Sequence, residues 1–472
     1  MVMGSLSQEA EVVVIGAGPG GYVAALRLAD LGKEVVLVEA REKLGGVCLI
    51  EGCIPSKVLI NVVELGNAAK ESKEMGLKIQ HNGYDLPQLR KWTNSVVDGL
   101  TSGVGSLLKS RGVEVFHGKA QFADNRTILV DGGRVALKFK KCIIATGSRV
   151  TELPFGKDMG VWSSVEALLL PSVPKSLLIV GGGYIGLELG LVYAGLGSKV
   201  TMVEFTGRLL IGADRDLSAV IVKHCEKRFE RIMVDSKVES IDKTSKGYEV
   251  TISHKGESEV IKTDQVLVSI GRRPNTDDLG LENTDVIVEK DGLIKVDKHG
   301  RTNNSRIYAI GDIVPGPALA HKASREAKVA AENIANHDAE FDNRAVPAVV
   351  FTDPEIAWTG LTERDAKEDG IKYKLGKFPL RALGRARTMG RTDGFVKILA
   401  DPDTNLVLGV GMVGPHVSEM IAEATLAMEM GATLEDLMVT IHPHPTISES
   451  IMEAAEVAAG TAVHIIPPKP RK

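Results

Sequence analysis

The feature that most constrains this chain is a short construction that occurs twice. Each copy consists of a β-branched run typical of a buried parallel strand, three glycines in GxGxxG spacing, a helical pattern, and a second apolar run that ends on an acidic residue. The first copy contains Gly16, Gly18, Gly21 and Glu39, and the second contains Gly181, Gly183, Gly186 and Glu204. The offset between the first glycine and the acid is the same in both copies.

Each part of this construction has a physical role in binding a dinucleotide. The glycines permit a tight turn and let the backbone approach a pyrophosphate at a helix N-terminus, and the acid accepts hydrogen bonds from a ribose. Glycine turns that merely connect strands and helices are the alternative, and two complete copies argue against it. The sequence therefore predicts an α/β chain with two Rossmann-like domains that bind two dinucleotides. At the second site Glu204 would repel a 2′-phosphate and Arg208 is the nearest guanidinium, which favours NAD over NADP.

Length and composition limit the remaining classes of protein. The chain has 472 residues, 44% of them hydrophobic, and a net charge of -4, which predicts several globular domains and no nucleic-acid footprint. The concentrated basic run Lys469–Lys472 is interpreted as a solvated tail. We find no 18-residue apolar stretch and no targeting segment at the start, so no membrane span and a cytoplasmic location are expected.

Four cysteines in a chain of this size do not form a secreted disulfide framework. Cys142 and Cys225 lie far apart in sequence, and Cys142 sits in a strand-like run where an inert buried thiol is expected. Cys48 and Cys53 form a CxxxxC pair. In a regular helix this spacing is too long for a disulfide, so a bridge requires a distorted turn or a loop at Cys48.

The residues around this pair favour redox chemistry. Pro55 is compatible with a helix that starts near Cys53, and a thiol at a helix N-terminus has a lowered pKa. Lys57 adds positive charge one turn further on, which also favours a thiolate. Two ordinary buried cysteines and a metal site are the alternatives; no second Cys/His pair at zinc spacing lies nearby.

The segment from Gly45 to Lys57 closely resembles the redox-active disulfide of the pyridine nucleotide-disulfide oxidoreductases, and the similarity extends over nearly the whole chain. It includes the motifs Ala145-Thr146-Gly147-Ser148, Gly271-Arg272-Arg273-Pro274-Asn275, Gly311-Asp312 and Ala318-Leu319-Ala320-His321. The resemblance implies an FAD-binding domain at 1–150 that continues at 274–345, an NAD-binding domain at 151–273, and an α+β dimerisation domain at 346–472. The chain departs from the usual sequence of this family at Ile50-Glu51, between the cysteines, and at Pro443, before His444. Neither departure removes a chemical group that the reaction of the family needs.

The resemblance also assigns roles to individual residues. Cys48 is expected to attack the substrate, Cys53 to face the flavin, and Lys57 to pair with Glu188. Besides the first glycine motif and Glu39, the expected FAD contacts are Gly46, Lys57, Gly118, Thr146, Gly147, Ser148, Asp312, Ala318, Leu319, Ala320 and His321. Besides the second motif and Glu204, the expected NAD contacts are Tyr184, Ile185, Glu188, Val238 and Gly271. No metal is expected.

The C-terminal part contains a proline-flanked histidine segment. From the residues alone, Thr446 and Glu449 fit a capping box at a helix start, and the histidines fit structural hydrogen bonding. Dithiol chemistry nevertheless requires a general base near neutral pH, and histidine is the usual one. By resemblance, His444 and Glu449 form a catalytic pair that reaches the disulfide of the partner subunit in a homodimer, and His442 has a structural role.

Within this family, the similarity is greatest to the branch that oxidises protein-bound dihydrolipoamide. The partner implied is a lipoyl-bearing acyltransferase of a 2-oxo acid dehydrogenase complex or the glycine cleavage carrier protein. Glutathione-type reductases would use NADP, against which Glu204 argues. Mercuric reductases would carry a C-terminal cysteine pair, and no cysteine follows Cys225. A flavin-bound scaffold or redox-sensing subunit is an alternative of a different class.

Overall fold

The computed structural model describes residues 6–155 and 159–466, so the basic run at the C-terminus lies outside the described residues. The first part of the chain builds a mixed sheet whose strands and helices are β1 (Leu6–Ile15), α1 (Pro19–Asp30), β2 (Val35–Glu39), α2 (Gly46–Glu51), α3 (Cys53–Glu71), α4 (Leu86–Ser110), β3 (Glu114–His117), β4 (Ala120–Asp124), β5 (Thr127–Val130), β6 (Val135–Ile144) and β7 (Ser148–Val150). The strand order is β3-β2-β1-β6-β5-β4. β3, β2, β1 and β6 run parallel, and β5 and β4 add an antiparallel edge.

Strand β1 is buried on both faces, as its β-branched run predicts. Val12 and Val14 pack against α1, whereas Val13 and Ile15 belong to a second core cluster formed with β4, β5 and β6. Since successive side chains of a strand point to opposite faces, one apolar run serves both layers. Cys142, in β6, is fully buried in the second cluster, which confirms the expected inert position.

The second part of the chain repeats the parallel architecture. Its elements are α5 (Ser164–Leu168), β8 (Ser176–Val180), α6 (Tyr184–Leu196), β9 (Lys199–Val203), α7 (Arg215–Cys225), β10 (Arg231–Met233), β11 (Ser236–Thr244), β12 (Gly247–His254), β13 (Glu257–Thr263) and β14 (Gln265–Val268). Strands β10-β9-β8-β14 form a parallel sheet, and β11-β12-β13 form an antiparallel one. The prediction of two Rossmann-like units is confirmed.

The chain then returns to the first sheet before it builds the last unit. The connecting elements are β15 (Arg272–Pro274), β16 (Ile307–Ala309) and α8 (Ala320–Ile334). β15 pairs with β7, β16 adds to β6, and α8 packs against α1. The segments at the predicted boundaries near residues 150 and 273 therefore lie side by side, while the exact division into domains stays a prediction.

The last part is an antiparallel sheet covered by helices. It contains β17 (Ala348–Val350), β18 (Glu355–Gly360), α9 (Glu363–Glu368), β19 (Lys374–Pro379), α10 (Gly384–Thr388), β20 (Phe395–Ala400), β21 (Val407–Gly414), α11 (Val417–Met430), α12 (Leu434–Val439) and α13 (Glu449–Ala459). The strand order is β17-β18-β21-β20-β19. Short 3₁₀ turns within the described residues are Ser72–Met75, Leu281–Asn283, Gly311–Ile313 and Leu380–Ala382. This layout confirms the α+β class predicted for the C-terminal part.

The helical run Gly46–Met75 corrects one sequence-based statement. This run is long and apolar enough to cross a membrane by length and composition, so the statement that no such stretch exists is wrong. In the fold, α3 buries Leu59, Ile60 and Val63 on one face and packs against α4 and α6. This packing is that of a helix inside a folded domain.

A buried lysine fastens the last sheet to the second parallel unit. Lys397, in β20, is almost fully buried, and its ammonium group forms ion pairs with Asp214 (2.8 Å), Asp216 (2.7 Å) and Glu363 (2.7 Å). Asp214 also accepts a hydrogen bond from the backbone N–H of Glu363, at the first turn of α9. These carboxylates can lie close together because the lysine compensates their charge.

Replacing this lysine should therefore destabilise the protein strongly. We expect Lys397→Met to lower the free energy of unfolding by about 3–5 kcal/mol, since three carboxylates would lose their buried counter-charge. Lys377→Met is the matched control, because Lys377 pairs with Asp216 at a more exposed position and should matter by less than about 1 kcal/mol. Thermal unfolding of both variants measures the difference, and equal shifts would contradict this assignment.

Candidate redox site and family

A large groove brings together residues from both dinucleotide units. Its volume is about 780 Å³, and both predicted cysteines lie in its wall. The predicted site residues that line it are Gly16, Gly18, Glu39, Gly46, Cys48, Cys53, Lys57, Gly118, Thr146, Gly147, Ser148, Tyr184, Ile185, Glu188, Asp312, Ala318 and Ala320. Leu319 and His321 are not among the lining residues. The His321 imidazole is hydrogen-bonded to the carbonyl oxygen of Pro347 instead.

The first glycine turn leaves no room for side chains. A Cβ on Gly16, which has φ +97°, would lie 2.5 Å from the carbonyl oxygen of Ala145, and one on Gly21 would lie 1.7 Å from the carbonyl oxygen of Gly16. The Glu39 carboxylate accepts a hydrogen bond from the backbone N–H of Ala17 (2.6 Å), inside this turn. The acid therefore holds the turn in shape as well as facing the groove.

The second glycine turn has the same construction. Gly181 has φ +109°, and a Cβ on it would lie 2.4 Å from the carbonyl oxygen of Ser269; a Cβ on Gly186 would lie 2.2 Å from that of Gly181. The Glu204 carboxylate accepts from the backbone N–H of Gly182 (2.6 Å), the position equivalent to Ala17. The two sites thus agree in backbone detail that the sequence pattern alone does not specify.

Three predicted NAD contacts, Val238, Gly271 and Gly183, are not among the residues that line the groove. Val238 is buried in the apolar core formed with β8 and β14, so a contact with NAD could come only from its backbone. Gly271 has φ +117° and directly follows the end of the second parallel sheet. Gly183 has open space where a Cβ would be, which leaves its backbone accessible at the start of α6.

The cysteine pair lies at a break between two helices. Cys48 is in α2, Cys53 is the first residue of α3, and Gly52 between them has φ -143° and ψ -109°, outside helical values. This break supplies the distortion that the CxxxxC spacing requires. Both cysteines are free thiols in the structure and are joined by a side-chain hydrogen bond.

The hydrogen bond makes the two thiols unequal. The Cys48 thiol donates to Cys53 and thereby lowers the pKa of Cys53 to about 7; burial opposes this shift and the Lys57 charge supports it. The same hydrogen bond, together with burial, raises the pKa of Cys48 far above its usual range. Near neutral pH the pair therefore contains one thiolate, at Cys53, and one thiol, at Cys48.

Lys57 is held by two other parts of the chain. Its ammonium nitrogen lies 2.9 Å from a carboxylate oxygen of Glu188, in α6, and 4.3 Å from the ring centroid of Phe351. The other oxygen of Glu188 accepts a hydrogen bond from the backbone N–H of Phe351 (2.9 Å). The expected ion pair is present, and Phe351 is a contact that the sequence analysis missed.

The Gly311-Asp312 motif is fixed through its backbone. The N–H of Gly311 donates to Glu326 (2.7 Å), and Glu326 forms an ion pair with the buried Lys322 (2.7 Å), both in α8. The Asp312 side chain accepts a hydrogen bond from the Ser148 hydroxyl (2.5 Å). The sequence analysis did not single out Lys322 or Glu326, although their i, i+4 spacing on a helix is typical of an ion pair.

His444 and Glu449 form a pair outside the groove. The Nδ1 atom of His444 lies 2.8 Å from one oxygen of Glu449, and the other oxygen accepts from the backbone N–H of Thr446 (2.8 Å). Glu449 therefore serves the histidine and the local cap at once, although α13 itself begins at Glu449, with Ser448 before it. The His444 side chain is 78% exposed, whereas the side chain of His442 is buried against Glu423 (2.8 Å).

Comparison with known families agrees with this geometry over most of the chain. The sequence model for pyridine nucleotide-disulphide oxidoreductases matches residues 10–327, and the model for the dimerisation domain of these enzymes matches residues 346–455. The chain belongs to the pyridine nucleotide-disulphide oxidoreductase family. The predicted enzyme class, its FAD and NAD cofactors and the homodimer are confirmed at this level.

Comparison with individual members of the family shows which of them this chain is similar to over its full length. It is 49% identical to a dihydrolipoyl dehydrogenase of Geobacillus stearothermophilus and 45% identical to one of Bacillus subtilis, in each case over 99% of this chain and 100% of the relative. Among solved structures, LpdA from Mycobacterium tuberculosis is similar with a TM-score of 0.87 and 27% identity, over 95% of this chain and 99% of the other. The flavoprotein disulfide reductase RclA from Escherichia coli has a TM-score of 0.83 and 29% identity, over 93% and 98%.

The groove fits the FAD of this family. Gly16 and Gly18 present backbone without side chains, and a Cβ on Gly46 would lie 2.6 Å from Gly18, so the wall there is pure backbone. A backbone wall at the start of α1 suits a pyrophosphate, because backbone N–H groups at a helix N-terminus can bind its negative charge. Cys53 and Lys57 also line this groove. Tyr184 and Ile185, at the start of α6, line the groove as well, whereas Glu204 and the glycines of the second motif do not.

The inequality of the two thiols predicts a pH dependence in the reduced protein. We expect one thiolate that forms near pH 7, below the ordinary value of 9.0, because the Cys48 thiol donates to it. Cys48→Ala removes this donor and should move the midpoint toward 9.0, whereas Cys48→Ser keeps a hydroxyl donor and should move it less. Ultraviolet thiolate absorbance across this pH range, measured against Cys53→Ser protein, checks this. A midpoint near the ordinary value in the unsubstituted protein would contradict it.

Proposed function

We propose that this chain oxidises a protein-bound dihydrolipoyl group and delivers the electrons to NAD. The partner would be a lipoyl-bearing acyltransferase of a 2-oxo acid dehydrogenase complex or a glycine cleavage carrier protein, and the location would be the cytoplasm. The dihydrolipoyl dehydrogenase relatives that match over their full length support the reaction. The observation that carries the proposal is the hydrogen-bonded pair of Cys48 and Cys53 in the groove, in which only Cys53 has a lowered pKa.

In the oxidised enzyme, Cys48 and Cys53 are proposed to form a disulfide. His444 takes the proton of one substrate thiol, and the resulting thiolate attacks the sulfur of Cys48, so that a mixed disulfide forms and the sulfur of Cys53 leaves. The Lys57 charge lowers the pKa of Cys53 and so makes its sulfur the better leaving group, since a thiol that ionises readily leaves faster. Glu449 holds Nδ1 of His444 so that Nε2 is free to accept the proton.

The second half of the exchange releases the product. The remaining substrate thiol attacks the substrate sulfur of the mixed disulfide, the sulfur of Cys48 leaves, and the proton of this second thiol ends on Cys48. The raised pKa of Cys48 favours this protonated state, while Cys53 stays a thiolate beside Lys57. FAD held in the groove would accept the electron pair of the dithiol as the Cys48–Cys53 disulfide re-forms, and NAD would be the final acceptor, as a hydride. Of the two protons taken from the substrate, the one on Cys48 would be used in this hydride and the one on His444 would leave to solvent. The enzyme is then ready for another substrate.

The base is proposed to come from the partner subunit of the homodimer. His444 is not among the residues that line the groove around the cysteines, and its imidazole is largely exposed. An exposed base on a dimerisation domain is well placed to serve the site of a second copy. In this arrangement each groove is complete only when two chains associate.

A substitution of Cys48 tests the proposed division of roles, in which Cys48 exchanges with the substrate and Cys53 faces the flavin. Cys48→Ser should abolish reduction of NAD by dihydrolipoamide, because no interchange thiol is left, yet it should spare electron transfer from NADH to a dye through the flavin. Steady-state assays with both substrate pairs on FAD-loaded protein measure this. Loss of both activities would count against the role of Cys48. FAD-loaded unsubstituted protein that does not turn over dihydrolipoamide would refute the proposed function.

A further inference from the structure

The Asp312 carboxylate stands at the end of a hydrogen-bond chain that begins at Arg272. The Nε atom of Arg272 donates to the Ser148 hydroxyl (2.7 Å), and this hydroxyl donates to Oδ2 of Asp312 (2.5 Å). A second arm of the same guanidinium donates to the backbone oxygen of Ser148 (2.6 Å). All three residues line the groove.

The donor and the acceptor of each of these hydrogen bonds follow from the chemistry of the three side chains. A guanidinium group has donors only, so the Ser148 oxygen must accept from Arg272 and has one proton left to give. That proton is directed at Asp312, which accepts it as a carboxylate. Without Arg272 the hydroxyl could rotate, and the charge-assisted bond to Asp312 would lose its fixed geometry.

These hydrogen bonds leave one carboxylate oxygen of Asp312 available to a ligand. Oδ1 has no hydrogen-bond partner within residues 6–155 and 159–466, and Asp312 faces the groove. The backbone of the same short turn is held independently, because Gly311 donates to Glu326. The side chain of Asp312 and the backbone of its turn are thus fixed by different residues, and one carboxylate oxygen on the groove side would be available to a donor of bound FAD.

We infer that Arg272 is a positioning residue for FAD, acting through Ser148 on Asp312. The inference rests on the expected contact of Asp312 with FAD, which the resemblance to the family places at the flavin's ribityl chain. Arg272 starts β15, directly after the sheet that carries the second glycine motif. A residue at the exit of the NAD-binding unit thereby orients a ligand of the FAD site.

The rate at which FAD leaves the holoenzyme on dilution, followed by flavin fluorescence, measures this effect. Asp312→Asn should speed release, since its amide is a poorer acceptor. Arg272→Gln should speed release by about tenfold, the value of one hydrogen bond to a charged group. Ser148→Thr keeps a hydroxyl and should retain most of the affinity, whereas Ser148→Ala should not. Arg273→Gln is the matched control, because Arg273 is an exposed neighbour with no side-chain hydrogen bond in the described part of the chain, and it should leave the rate unchanged.

A double-mutant cycle separates this relay from a merely structural role. In the Ser148→Ala background, Arg272→Gln should have less than half of its effect, because the link it acts through is already missing. A full additional effect in that background would overturn the relay, as would an unchanged release rate for Arg272→Gln alone. An unchanged rate for Asp312→Asn would instead show that the proposed Asp312 contact with the flavin is wrong.

Discussion

The buried carboxylate of Glu188 is the interaction on which the rest of the site depends. It is 4% exposed and accepts from Lys57 and from the backbone N–H of Phe351. A buried charge is costly unless it is paired and hydrogen-bonded, so helix α3, helix α6 and the segment after β17 are held to one another by the need to satisfy it. The helix that begins at Cys53 therefore has a fixed position relative to the NAD-binding unit and to the dimerisation domain.

The electrostatics of the dithiol follow from this position. Lys57 lowers the pKa of Cys53 more than Glu188 raises it, so the ion pair adds to the downward shift that the Cys48 thiol produces. The helix break at Gly52 makes that thiol available, because it brings together two cysteines that a continuous helix would separate. In the reduced pair the site thus holds a thiolate at Cys53 and a proton at Cys48.

The sequence contains signals for the parts of the site that rely on local backbone. GxGxxG turns, the acids that follow them and a CxxxxC pair before Pro55 each have a spacing with a physical meaning. The Phe351 donor to Glu188, the Arg272–Ser148 link and the pairing of Lys397 with Asp214 and Asp216 have none, since they join residues more than 100 positions apart. The stretch from residue 46 is the opposite case: its length and composition fit a membrane span, while its tertiary packing is that of a helix inside a folded domain.

We propose that each groove and its base belong to different chains of the dimer. Hybrid dimers of Cys48→Ser and His444→Gln subunits test it directly, with differently tagged chains coexpressed so that the hybrids are purified apart from both parents. If the base acts across the interface, the His444→Gln chain offers an intact dithiol to the intact histidine of its partner, so one of the two sites turns over dihydrolipoamide while both parent dimers are nearly inactive. If His444 serves the dithiol of its own chain, neither site in the hybrid is complete, and hybrids as inactive as the parents would show that the base does not act across the interface.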